Sequence, residues 1–104
     1  MRPEAVVKAL EDALARLGVS VRRERGPFRG GRCTVEGREV VVLNRRHPPE
    51  AHLAVLAESL RGADGVDGLY LRPAVRAALE DAWARLDRGA DDAAAAAASG
   101  GEEP

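Results

Sequence analysis

Near the start of the chain, apolar residues recur at three- and four-residue steps: Val6, Val7, Leu10, Ala13, Leu14 and Leu17, with Lys8, Glu11, Asp12 and Arg16 between them. That spacing predicts an amphipathic helix with one buried face. Pro3 suits its first turn, where a missing N–H costs nothing, and Glu4 favours the positive end of the helix dipole. Gly18 supplies a stop. The pattern then switches to alternation. Val19-Ser20-Val21-Arg22-Arg23-Glu24 predicts a half-buried strand, Arg25 to Gly31 is a loop by its Gly and Pro content, and Arg32–Glu36 and Arg38–Asn44 predict two more strands. Glu36-Gly37 joins that pair. Glu is a poor first residue for a type I′ turn, so the expected connection is a type I turn followed by Gly37 in the left-handed region with a bulge. Val40-Val41-Val42-Leu43 is apolar on both faces, which marks its strand as the most buried of the three.

Pro48 and Pro49 start a second helix with a stripe of Leu53, Leu56, Ala57 and Leu60, and Gly62 stops it. Arg61 to Gly68 is a connector, Leu69-Tyr70-Leu71 is a short apolar plug, and Pro73 opens a third helix. That helix carries Val75, Leu79, Ala82 and Leu86, with Trp83 beside the stripe, and its expected end is Gly89. Ala93 to Ala98 and the closing Ser-Gly-Gly-Glu-Glu-Pro are low-complexity sequence that cannot bury a core. The expectation is an α+β fold in one domain over 1–89: an N-terminal helix, a three-stranded antiparallel sheet and two C-terminal helices. A disordered tail over 90–104 follows.

Within this order, Val41-Val42-Leu43-Asn44 precedes Pro-Glu and an apolar helix. The arrangement resembles the core of zinc peptidases of the ImmA/IrrE type. In that family a strand ending in Asn leads to a helix whose HExxH motif holds zinc through two histidines and uses the Glu as general base. Here Glu58 matches the Glu, but Ala57 and Arg61 stand where the histidines would be. The resemblance therefore implies the scaffold and the strand-ending Asn44, without the zinc chemistry. The Gly-Cys hairpin and the Tyr70–Arg76 segment also look like parts of small bacterial proteins, a likeness that implies no activity.

At 104 residues with only Phe28, Tyr70 and Trp83 as aromatics, the chain has room for one core, built from Leu, Val and Ala. Sixteen basic residues against seventeen acidic ones remove any whole-molecule attraction to phosphate. The distribution is uneven. Residues 22–46 hold eight Arg and three acids, whereas residues 87–104 hold five acids and one Arg. A lone cysteine excludes an internal disulfide, no apolar run approaches the roughly 20 residues of a membrane span, and the first residues lack a signal-peptide core. A cytoplasmic location without a membrane partner is expected.

Candidate chemistry centres on few side chains. Cys33 follows two glycines and Arg32, so a thiol nucleophile with His47 or His52 as its base is one reading. Alternation with Val35 instead predicts Cys33 as a small buried hydrophobe on the inner face of the sheet. His47 then reads as a loop or cap residue and His52 as a partly exposed helix residue. One Cys and two His five residues apart do not make a closed zinc site, and no metal or cofactor is expected. Gly30-Gly31 lacks the spacing of a phosphate loop. Glu11-Asp12, Glu80-Asp81 and Asp91-Asp92 read as solubilising charge rather than acid/base pairs. Arg22, Arg32, Arg45 and Arg46 are the candidate binding residues, able to hold carboxylate or phosphate bidentately. Together these features point to a non-catalytic interaction or accessory module with a protein or anionic partner. The alternatives are a thiol-dependent or divergent hydrolase using Cys33 and a histidine, and nucleic-acid binding, which needs the arginines on one continuous face and lacks interleaved aromatics.

Overall fold

In a computed structural model the chain runs α1 (Pro3–Arg16), β1 (Ser20–Glu24), β2 (Gly31–Val35), β3 (Arg38–Asn44), α2 (Pro49–Arg61), a single 3-10 turn at Val66–Gly68, and α3 (Pro73–Gly100). The structure describes residues 1–100, with side chains through Gly89; of the expected tail over 90–104, the last four residues lie outside that description. The α+β class holds. α1 buries Val6, Val7, Leu10, Ala13 and Leu14, as its periodicity requires. It ends in a Schellman motif: the Val19 N–H donates to the Leu14 carbonyl at 2.9 Å and the Gly18 N–H to the Ala15 carbonyl at 3.0 Å. The chain thereby turns sharply into β1.

The sheet order is β1-β3-β2, with β3 in the middle, where its two apolar faces and two sets of backbone groups all find neighbours. β2 pairs antiparallel to β3, but β1 pairs parallel to it, so the sheet is mixed and not antiparallel throughout. The reason is topological. β1 and β2 run in opposite directions, and the hairpin after β2 returns β3 into the gap between them, alongside β1 and in its direction. The loop from β1 to β2 must then cross the C-terminal end of β3.

Asn44 sits under that crossing. Only 2% exposed, it donates its side-chain amide to the Gly26 and Phe28 carbonyls at 2.7 and 2.6 Å, while its Oδ1 accepts the Arg46 N–H at 3.0 Å. Every hydrogen-bonding atom of the amide group is thus engaged in holding the arch. Gly30 lets the arch descend, because a Cβ there would stand 2.7 Å from the Val42 carbonyl oxygen. The expected strand end at Asn44 is therefore also a tie that holds the connection between the two edge strands of the sheet.

The β2–β3 turn corrects the sequence reading. Val35 pairs with Arg38, leaving two loop residues, and both Glu36 (φ 52) and Gly37 (φ 79) are left-handed. This is a type I′ turn without a bulge, whose twist matches that of the flanking strands. Gly37 takes it freely, whereas Glu36 bears a left-handed penalty of about 1–2 kcal/mol. The twist of the paired strands outweighs the local preference of one residue.

One apolar cluster joins α1, Val41 and Leu43 of β3, Leu56, Ala57 and Leu60 of α2, and Leu71, Val75, Leu79 and Ala82 from the connector and α3. Trp83 fastens α3 to α2 by donating its Nε1–H to the Ala57 carbonyl at 2.6 Å. Two further expectations change. The plug splits, with Leu71 buried and Tyr70 72% exposed. α3 also continues past Gly89 to Gly100. One glycine costs a helix only about 1 kcal/mol relative to Ala, and the alanine-rich sequence that follows has the highest helix propensity available.

Candidate functional site

Register assigns each strand residue to a face. Val21, Val41, Leu43, Arg32 and Thr34 point toward the helices; Ser20, Arg22, Arg38, Val40, Val42, Cys33 and Val35 point the other way. Among the described residues no helix packs on that second face, since the helical core joins Val41 and Leu43 and leaves out Val40 and Val42. Val40 is buried between its register partners Ser20 and Cys33, Val42 is half-buried, and Val35 is 41% exposed. The sheet is therefore closed on one side and bare on the other.

The three candidate catalytic side chains do not assemble. Cys33 is exposed on the bare face, not buried on the inner one: Val35 alternates with it, but both face away from the helices. His52 is buried, not partly exposed, and its Nε2 lies 2.6 Å from the Asn44 carbonyl oxygen. With that nitrogen as donor, the ring caps the end of β3 from the first turn of α2. His47 lies in the turn after β3, its backbone N–H bonded to the same carbonyl at 3.0 Å. Cys33 pairs with Val40, four residues from Asn44, a separation of about 13 Å along a strand rising roughly 3.3 Å per residue. No imidazole is placed to take a proton from this thiol.

The positions of the absent HExxH histidines have other tasks. Ala57 is fully buried, and its carbonyl receives the Trp83 indole N–H. The Arg61 guanidinium makes a forked pair with the Asp87 carboxylate, at 2.5 and 3.1 Å, and lies over the Trp83 ring, 5.5 Å from its centroid. Hydrogen bonding to Arg61 holds the Asp87 carboxyl below its ordinary range. This pair bridges α2 and α3 beside an open groove of about 700 Å³, lined by Leu53, Glu58, Arg61, Arg85 and Leu86 among others. Glu50, Glu58 and Asp87 line the groove together with Arg29, Arg61 and Arg85, so it presents no single charge to a ligand. Among the described residues, no three His, Cys, Asp or Glu side chains converge as a metal site would need.

The four candidate binding arginines separate as well. Arg22 is on the bare face, 3.6 Å from Glu24. Arg32 is on the helix-covered face at the sheet edge, paired with Glu39 and close to Gly62. Arg45 lies beyond β3 with its Nε–H directed to the Arg23 carbonyl at 3.3 Å, and Arg46 follows it in the turn over Asn44. Only Arg22 flanks the apolar strip of Val40, Val42, Cys33 and Val35. The arginine that joins it there is Arg38, which the sequence reading passed over. Its signal was available in the two-residue turn: once Val35 pairs with Arg38, both share the face of Cys33.

The bare face thus combines an apolar strip with guanidinium groups on two different strands, and it carries the only thiol. No helix among the described residues is long and apolar enough to cross a membrane. Comparison of the chain with protein-family models, with curated proteins and with solved structures gave no match.

Proposed function

We propose that this chain is a non-catalytic interaction module that holds an acidic segment of a partner protein against the bare face of its sheet. The observation that carries the reading is the co-location of Arg22 and Arg38 with Val35, Cys33, Val40 and Val42 on the one sheet surface that no described helix covers. Apolar strips of this kind supply contact area, and the flanking guanidinium groups select carboxylates and fix orientation. A hydrolase reading has less support, because the exposed thiol has no base beside it. Nucleic-acid binding has less support too, because the arginines divide between opposite faces and the exposed ring of Tyr70 lies away from them.

A photo-crosslinking side chain placed at Ser20 or Val35 tests the reading against the same group at Asp81, on the exposed surface of α3. Adducts with an acidic protein should form from the two sheet positions, weaken with added salt as charges are screened beyond about 8 Å, and vanish in an R22E/R38E variant that remains folded. Equal adducts from Asp81, or ester or peptide hydrolysis abolished by Cys33→Ala, would overturn it.

A further inference from the structure

The free edge of the sheet at β2 has a hydrogen-bonding phase that can be worked out. The Arg45 N–H donates to the Glu24 carbonyl at 2.9 Å, so odd-numbered residues at the end of β3 address β1, and the even-numbered Arg38, Val40 and Val42 address β2. The Val42 carbonyl oxygen, close to Gly30, agrees with that phase. The two-residue turn sets the same phase from the other end, because Val35 and Arg38 flank it as a hydrogen-bonded pair. Gly31, Cys33 and Val35 therefore spend their backbone groups on β3. Arg32 and Thr34 aim theirs outward.

We propose that β2 pairs antiparallel with β2 of a second copy of this chain, about a twofold axis that passes beside Cys33. In this register Arg32 of each copy lies opposite Thr34 of the other, and all four outward backbone groups of each strand are paired. Val35 covers Gly31 of the other copy, where no side chain competes for the space. Cys33 faces Cys33 at a non-hydrogen-bonded position. Shifting the axis to Arg32 sets two guanidinium groups against each other, and shifting it to Thr34 pushes Arg32 onto the turn residue Glu36 and halves the ladder. The strand carries neither proline nor bulge to block the pairing.

The opposite edge of the sheet differs in the way that matters. Self-pairing of β1 centres on Arg22, with like charges in direct opposition, and Arg23 is already engaged by Glu11 from α1 at 2.5 Å. β1 is guarded by charge, and β2 is not. The interface is small, so the dimer is weak and concentration-dependent, as expected below about 1,200 Å² of buried surface. It stands independently of the partner proposed for the bare face, which the pairing would extend from three strands to six.

Disulfide trapping with diamide reads the register directly. Non-hydrogen-bonded residues in antiparallel strands have Cα atoms about 4.5 Å apart, within the range a disulfide spans. Cys33 should therefore trap a covalent dimer at least about tenfold faster than Arg32→Cys or Thr34→Cys, each made in a C33A background, whose equivalent positions sit diagonally apart. Sedimentation of C33A should show a reversible dimer at concentrations up to about 1 mM. Thr34→Pro should abolish it with the fold intact, since the lost N–H points away from β3; Thr34→Val, which keeps that N–H and the in-chain ladder and adds no charge opposite Arg32, should leave the dimer in place. A monomer throughout that range, or equal trapping rates at the three positions, would overturn the proposal.

Discussion

Val41 and Val42 are adjacent in one strand, yet they belong to different parts of the molecule. Val41 is fully buried in the cluster shared by all three helices, and Val42 is half-buried on a face that no described helix covers. The covered face is built for stability, with each buried Leu or Val contributing about 1.5–3 kcal/mol through removal from water. The bare face has the same β-branched composition with no described helix laid over it: Val40 is buried only among its strand neighbours, Val42 is half-buried and Val35 is exposed. The difference teaches that apolar character in a central strand is not evidence of a second core layer. In this chain it leaves a surface with contact area and charge, which is what an interaction module requires.

The contrast is open to direct attack. Leu43→Ala on the covered face should cost about 2–5 kcal/mol, the range for cavities in well-packed interiors, lowering the melting temperature by roughly ten degrees or more in a domain this size. A loss below 1 kcal/mol in a denaturant titration would mean the covered face is not the core. Asn44→Ala comes next: it strands the Gly26 and Phe28 carbonyls and the Arg46 N–H beneath the arch, at about 1–3 kcal/mol. Hydrogen exchange in residues 25–30 should accelerate selectively, and unchanged exchange there would show that Asn44 does not hold the crossing.

Smaller effects sharpen the comparison at the hairpin and on the bare face. Glu36→Asn should raise stability by about 0.5–1 kcal/mol, recovering part of the left-handed penalty, because Asn tolerates that backbone region far better. A destabilised variant would argue against the two-residue turn and against the register that sorts the faces. Cys33→Ser should change stability by no more than about 0.5 kcal/mol, as for other exposed substitutions. The native thiol should react promptly with a thiol reagent at neutral pH; slow labelling would place Cys33 on the covered face after all.

Much of the fold was legible along the chain because it is written in local periodicity. The α1 stripe, the Gly18 stop and the burial of β3 all follow from residue spacing, and so does the Asn44 strand end. The candidate site was less legible. Cys33 and Val35 were correctly placed on one face of β2, but the identity of that face depends on pairing with Val40 and Arg38 across the turn. His52 has no sequence signal for burial, since its partner is a backbone carbonyl at the end of another element. Arg22 and Arg32 share a sign and a region, and one residue of register sends them to opposite sides of the sheet.

The sequence by itself determined which segments up to Gly89 are helical and which extended, the single core, the lone thiol and the missing histidines of a zinc motif, because each is a property of neighbouring residues or of residue identity. Tertiary structure alone decided that β3 inserts between β1 and β2, that β1 runs parallel to it, and that the helices gather on one face only. Those outcomes depend on which segments meet after the chain has crossed over itself. Alternating strands have two equivalent faces until a long-range contact, here Val41 and Leu43 against Leu10, Leu56 and Leu60, chooses the one to bury.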